Sequence, residues 1–432
     1  MKEKKPDLVE FSPDNTIFLL LSFEGPDVYS QAGGLGVRMA ELSRSLAEEK
    51  YETHLFFIGD PSFPGEEKLL NNRLIYHRWC QWISHYHRGG VYDGEEGKLL
   101  NYQDSLPPWI LRNIFFLPKN GKKNFVVLSE EWHTAETTIR LHRMSQSLKL
   151  KPLFLWNANN TFGFHRIQWD ELKRSAAVTT VSKYMKHLMW KYQVDPLVIP
   201  NGIPKRFFAP IHKESVSLLR KSADTDLLLA KIGRFDPDKR WIMAVKSFHH
   251  LKKMGIRSKL IIRGGVEPHG WEVKNLAESL GLKIVPVKLP KNADYKLLCQ
   301  FLKQTPAADI YDLQFFVSEE LLRAIYKASD AVLANSRHEP FGLVGLEVMA
   351  CGGVAITGNS GEDYAQSFRN AIVVETEDPL ELSSYLISLY EKPTLSANLR
   401  KNGIESAKAF LWEVVIEELK RKLMYLGMER NS

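Results

Sequence analysis

Unbroken apolar runs alternate along this chain with amphipathic stretches. Thr16 opens TIFLLLSF, the kind of run a strand takes when both of its faces are covered. A loop ending in Gly33, Gly34 and Gly36 follows, then an amphipathic helix through Ala47 and a second apolar run, THLFFIG. The same order returns later, with a strand at LLLAKIG, a loop from Arg234 to Lys239, a helix from Trp241 to about Met254, and a strand at KLIIRG. The repetition is of architecture, not of residues. Strands alternating with helices predict parallel sheets covered on both faces, hence an α/β chain of two doubly wound, Rossmann-like domains facing across a cleft.

The turn-rich segment IPNGIPKRFFAP and the polar stretch after it set the expected boundary. The expected domains are residues 1–208 on the acceptor side and 209–408 holding the donor, with 409–432 as a terminal helix packing back on the first domain. The last stretch, AKAFLWEVVIEELKRKLMYL, reads as that helix. Residues 75–93, IYHRWCQWISHYHRGGVYD, do not fit the alternation; dense in aromatics and histidines, they read as an insertion packed on the first domain. His77, His85 and His87 have no carboxylates around them in a recognised metal-ligand spacing.

Composition narrows the class. Hydrophobic residues make up 44% and charged residues 25% of 432 positions, ordinary for a globular protein and enough for full cores. The net charge of +7 favours anionic ligands, but the basic residues are dispersed rather than blocked together, which argues against nucleic acid and leaves contact with an anionic membrane open. Three cysteines, Cys80, Cys299 and Cys351, without a CxxC pair, predict neither a disulfide framework nor a zinc site, and the expected compartment is the cytoplasm. No apolar leader follows the charged start, and Ile17 to Leu21 is too short to span a bilayer.

The chemistry concentrates in SRHEPFGLVGLEVMACGG. Glu339 and Glu347 stand eight positions apart, with Pro340 and Gly342 between them. A helix beginning near Gly342 turns unpaired amides and its positive end toward a ligand, an arrangement suited to a diphosphate. Glu339, on the loop before it, suits a sugar's hydroxyls, and Glu347, on the helix, those of a ribose. Arg234 and Lys239 flank the loop that leaves LLLAKIG, where fixed cations stabilise charge growing on a departing diphosphate.

This pattern resembles the E-x7-E signature of the glycogen-synthase-like retaining glycosyltransferases, the group 1 family, of GT-B architecture. Arg234 and Lys239 resemble that family's diphosphate-binding pair, and FEGPDVYSQAGGLG its amino-terminal glycine loop. SEEWHTAET around His133 is similar to the DWHT segment of starch and glycogen synthases, and TTVSKYM with VIPNGIP to the segments leading to the interdomain linker. The resemblance implies a hexosyltransferase using a nucleoside diphosphate sugar, UDP-glucose or ADP-glucose among them, with a glycan or small sugar as acceptor. Glu339, Arg234 and Lys239 would be catalytic. Phe341, Gly342, Leu343, Val344 and Glu347, with Gly33 and Gly34, would bind the donor. His133, Asn157, Asn159 and His165 are candidate substrate contacts.

No metal or other cofactor is expected, because Arg and Lys supply the charge. Asp224-Thr225-Asp226 and Asp236-Pro237-Asp238, which mimic a DxD metal motif, read as loop carboxylates. Two departures mark the chain. Gln31 stands where bacterial and plant glycogen synthases carry lysine, and LWNANNTFGFHR offers Asn157, Asn159 and Asn160 where many relatives carry a histidine. The competing readings are a glycan phosphorylase, a nucleotide-sugar epimerase, or a non-catalytic carbohydrate-binding homologue on the same fold.

Overall fold

A computed structural model describes residues 10–431; the charged start, residues 1–9, read above as carrying no leader, lies outside them. The chain divides into two compact units, residues 1–202 with 412–432 and residues 203–411. Both boundaries therefore shift by a few residues from those read in the sequence. The Ile203 amide donates to the Phe410 carbonyl at 2.7 Å, tying both ends of the second unit together. Trp412 lies so close to Gly202 that a Cβ there would come within 2.2 Å of the indole.

The first unit is built on β1 (Thr16–Leu21), β2 (Glu52–Ile58), β3 (Glu66–Leu69), β4 (Leu74–Trp79), β5 (Asn124–Glu130), β6 (Leu153–Ala158), β7 (Ala177–Thr180) and β8 (Leu197–Val198). Their order is β3-β4-β2-β1-β5-β6-β7-β8, parallel except for the β3-β4 hairpin. β1 is buried at every position, as its unbroken apolar run requires. The chain goes from β1 to β2 on one side and returns to β5 on the other, so the loops after β1 and β5 lie side by side at the point where strand order reverses.

Two expectations change here. Residues 74–79 are β4, a strand of the sheet rather than an insertion: His77 is buried and hydrogen-bonded to His54 at 2.9 Å. The terminal stretch is not one helix. A turn at Phe410 and Leu411 separates helix Pro393–Lys408 of the second unit from Trp412–Asn431, whose Trp412, Val415, Ile416, Leu419 and Leu423 join the core of the first.

The second unit contains β9 (Leu227–Ile232), β10 (Ser258–Arg263), β11 (Ile284–Val287), β12 (Ile310–Leu313), β13 (Ala331–Ala334), β14 (Ala355–Thr357) and β15 (Ile372–Val373), all parallel in the order β11-β12-β10-β9-β13-β14-β15. Here the order reverses between β9 and β13, which pair at Leu229 with Ala331 and at Ala230 with Val332. The loops leaving these two strands carry Arg234 to Lys239 and Ser336 to Gly342. Residues a hundred positions apart meet because of that adjacency.

Candidate functional site

In the second unit, β9 runs into a short 3-10 turn at Pro237–Lys239 whose start is capped by Asp236, its carboxylate accepting the Asp238 amide at 2.9 Å. This turn presents the Lys239 ammonium to the Glu339 carboxylate, and the two form an ion pair. Ser336 donates to the same carboxylate oxygen at 3.0 Å. Gly342 then turns the chain with φ +79°, and helix Leu343–Ala350 begins directly after it. The first turn, Leu343 and Val344 included, leaves amides without intrahelical acceptors. Phe341 is buried against Tyr364 and Phe410 and anchors the turn, while the Tyr364 hydroxyl donates to the Gly342 carbonyl.

Glu347, one turn along the helix, accepts from the Tyr326 hydroxyl at 3.3 Å, and burial pushes its carboxyl up to about 7. Arg234 is placed differently from Lys239. Its guanidinium is 63% exposed and 3.9 Å from Asp236, while its carbonyl accepts the Trp241 indole N–H at 2.7 Å. The backbone of Arg234 is therefore fixed and its charge remains at the surface.

Several residues that the sequence did not single out complete this neighbourhood. Lys231, at the end of β9, is buried and donates to Asn335 Oδ1 at 2.7 Å and the Leu333 carbonyl at 3.0 Å. Burial, and then Lys239 and Arg240, hold its amine well below the usual lysine range. Glu362 lies beside Glu339, and Ser360 bridges them, accepting the Glu339 amide at 2.8 Å. The two DxD-like stretches are loop carboxylates. Asp226 pairs with Arg257 at 2.7 Å, and Asp238 with His338 at 3.2 Å. Among the described residues no three His, Cys, Asp or Glu side chains are grouped as a metal would need.

In the first unit the glycine loop has an occupant from its own chain. One carboxylate oxygen of Glu24 accepts the amides of Ala32, Gly33 and Gly36 at 3.0–3.1 Å, and the other accepts the Tyr92 hydroxyl at 2.7 Å. The start of helix Gly34–Glu48 is thus capped by an internal anion. A Cβ at Gly33 or Gly34 would meet no atom within 4 Å, whereas at Gly36 it would come 2.9 Å from the Gly25 carbonyl. Tight packing requires glycine at 36; at 33 and 34 it leaves open room for something to approach.

His133 is buried between Phe23 and Trp132, donating or accepting through Nε2 at Glu95, 2.7 Å away, with Nδ1 unpartnered. Burial lowers it to about 3, so the imidazole is neutral. The candidate asparagines are hydrogen-bonded to neighbouring glutamates. Asn157 and Asn159 donate their side-chain amides to Glu130 at 2.8 and 2.6 Å, and the backbone amides of Asn159 and Asn160 bind Glu131. Glu130 in turn pairs with buried Arg38 at 3.1 Å. His165 is exposed on the turn Phe164–Arg166. His77 is a core residue and His87 pairs with Asp93, so the three histidines of segment 75–93 form no common site.

Comparison with known proteins adds similarity over the second unit. Residues 219–406, nearly the whole second unit, match the family described as glycosyl transferases group 1. This match covers less than half of the chain, so it is the second unit that is similar to the group 1 glycosyltransferases. D-inositol 3-phosphate glycosyltransferase of Stackebrandtia nassauensis is 23% identical over 65% of this chain and 61% of its own length. Mannosylfructose-phosphate synthase of Agrobacterium fabrum is 22% identical over 51% of this chain and 46% of its own. The chain thus spans less than two thirds of these curated relatives. Among solved structures, sucrose-phosphate synthase from Thermosynechococcus elongatus superposes with a TM-score of 0.67 at 18% identity, covering 95% of this chain and 99% of that one. Anabaena HepE in complex with UDP and glucose superposes at 0.63 with 13% identity, covering 94% and 98%. These likenesses establish the GT-B fold. No helix among the described residues is long and apolar enough to cross a membrane.

Proposed function

We propose that this chain is a retaining glycosyltransferase that moves a hexosyl unit, glucose first among the candidates, from a nucleoside diphosphate sugar to a small sugar or polyol acceptor. The observation that carries the reading is the convergence of Lys239, Glu339 and the Gly342 turn at the β9/β13 reversal, with a helix amino terminus behind them. A diphosphate there meets unpaired amides and the helix's positive end, and Arg234 and Lys239 oppose the charge that grows as it departs. Glu339 accepts from donor-sugar hydroxyls and Glu347 from the ribose.

In the reaction, the bond from the anomeric carbon to the diphosphate oxygen breaks while a bond to the acceptor oxygen forms on the same face. The acceptor's proton passes to the departing phosphate, so the step balances without a metal or other cofactor. The acceptor reading is sharpened by the names of similar proteins, a D-inositol 3-phosphate glycosyltransferase, a mannosylfructose-phosphate synthase and a sucrose-phosphate synthase. A small phosphorylated acceptor is the corresponding expectation here. The cytoplasm, where sugar nucleotides are made, is the expected setting.

The test is donor breakdown and transfer across UDP-, ADP- and GDP-hexoses, with and without phosphorylated and free acceptors. The reading expects one donor to be consumed, faster with the right acceptor and unaffected by EDTA. Consumption of inorganic phosphate instead would favour a phosphorylase, and inertness toward every donor a non-catalytic homologue.

A further inference from the structure

Two carboxyl side chains flank the Cα of Gly342. A Cβ built there would stand 3.2 Å from Glu339 Cγ and 2.7 Å from Glu362 Cγ. Glu339 has a cation in Lys239, but Glu362 forms no ion pair among the described residues and is only 6% exposed. Its Oε2 accepts the Ser360 amide at 3.1 Å and faces the Ser360 hydroxyl at 3.2 Å, while its Oε1 is buried and unpartnered, 3.4 Å from where a Cβ on Gly358 would stand. Ser360 also accepts the Glu339 amide at 2.8 Å, and the Glu339 carbonyl accepts the Gly361 amide at 2.8 Å. The loop that aims Glu339 is thus held on the Glu362 segment.

A buried carboxylate with one oxygen lacking any donor is costly as an anion and inexpensive as an acid. The charged and titratable groups around it reinforce this. The charge of Glu339 disfavours an anion there, exposed Asp363 adjoins it in the chain, Tyr364 is a neutral phenol under the same turn, and Glu347 follows on the helix. Ionising Glu362 would also add a negative charge at the helix end where the diphosphate is proposed to sit.

We infer that Glu362 is a positioning residue that works as a neutral carboxylic acid, holding the Glu339 loop for the donor, and that its ionisation weakens the nucleotide site. The inference rests on the donor-site reading above and assigns a role to a residue outside the paired-glutamate motif. Burial, and then Glu339, push the Glu362 carboxyl up to about 7, which places the transition within reach of experiment.

The experiment is calorimetric titration of the full chain with UDP, ADP and GDP at about pH 6 and about pH 8.5, for the wild type and Glu362→Gln; at the higher pH only a few per cent of Glu362 stays neutral. The nucleotide's terminal phosphate and Glu347 titrate in both proteins, so the comparison between them isolates Glu362. For whichever nucleotide binds best, wild-type affinity should fall roughly tenfold more than that of Glu362→Gln over this interval. Parallel pH dependence overturns the inference, as does a Glu362→Gln protein that melts normally but binds nothing at either pH.

If Glu362→Gln does not fold, Ser360→Ala takes its place. Cutting the bridge should lower affinity at about pH 6 to the wild type's level at about pH 8.5, and unchanged affinity there overturns the inference. A wild type that binds none of the three nucleotides at either pH would instead remove the donor-site reading, and this inference with it.

Discussion

Replacing Lys239 by methionine keeps the aliphatic stem and deletes one charge. The side chains of Lys239 and Glu339 are 28% and 19% exposed, so their ion pair lies at the edge of solvent. Such a pair contributes about 1 kcal/mol or less to stability, and its loss should lower the melting temperature of a unit this size by roughly 2–4 °C. The kinetic cost should be larger. A fixed donor aimed at charge that develops in the transition state contributes about 3 kcal/mol, and about 1.4 kcal/mol corresponds to tenfold, so kcat/KM should fall roughly 100- to 200-fold. Among the described residues the Glu339 carboxylate would keep only its Ser336 contact, and, freed of its cation, it would add repulsion toward the diphosphate. The assay is donor turnover with the best nucleotide sugar, run beside thermal unfolding. Turnover within about threefold of wild type, or a melting temperature lowered by more than about 10 °C, would refute the reasoning, the first by removing the kinetic role and the second by making the pair structural.

Three further outcomes are expected. Arg234→Ala should reduce kcat/KM by roughly tenfold or more while leaving the melting temperature within about 1 °C of wild type, because its guanidinium is 63% exposed; unchanged turnover would remove it from the donor site. Gly342→Ala should cost about 1–3 kcal/mol in chemical unfolding and lower turnover as well, since it forces a Cβ at φ +79° to within 2.7 Å of Glu362; an unchanged unfolding midpoint would contradict the tight turn. Glu131, pushed up to about 8 chiefly by burial, binds its proton more tightly folded than unfolded; its contribution is complete below about pH 4.5 and lost as pH rises through about 8. Glu131→Gln should therefore gain melting temperature over wild type at about pH 8.5 and not at about pH 5, and an equal difference at both would count against it.

The parts of this molecule that could be read from sequence are those whose cause is local. An apolar run such as TIFLLLSF has to be covered on both faces, and β1 is buried throughout. The Glu339 to Glu347 stretch was legible because a loop carboxylate, a glycine turn and a helix start follow one another in the chain. β4 was not, because Tyr76, His77 and Trp79 look like surface chemistry until His54 and Phe56 of the adjacent strand are placed against them. The same holds for side chains whose meaning lies in a distant partner. Nothing near Asn157 announces that Glu130, on the neighbouring strand, takes its amide, and nothing near Glu24 announces that it caps the glycine loop. Glu362 and Lys231 were missed for that reason, since a lone carboxylate or lysine becomes informative only when burial and contacts are known. The break at Phe410 and Leu411 went unread because amphipathic helix-forming residues continue on both sides of it.

On the function proposed above, the second unit holds a nucleoside diphosphate at the Gly342 turn, facing Lys239 and Glu339. A crystal structure of the chain soaked with the nucleotide that its preferred donor releases tests this most directly. The diphosphate is expected on the amides of residues 342–344, with the Lys239 ammonium in contact and the ribose against Glu347. A nucleotide bound in the first unit, or in the second unit away from both Lys239 and Glu347, would contradict it.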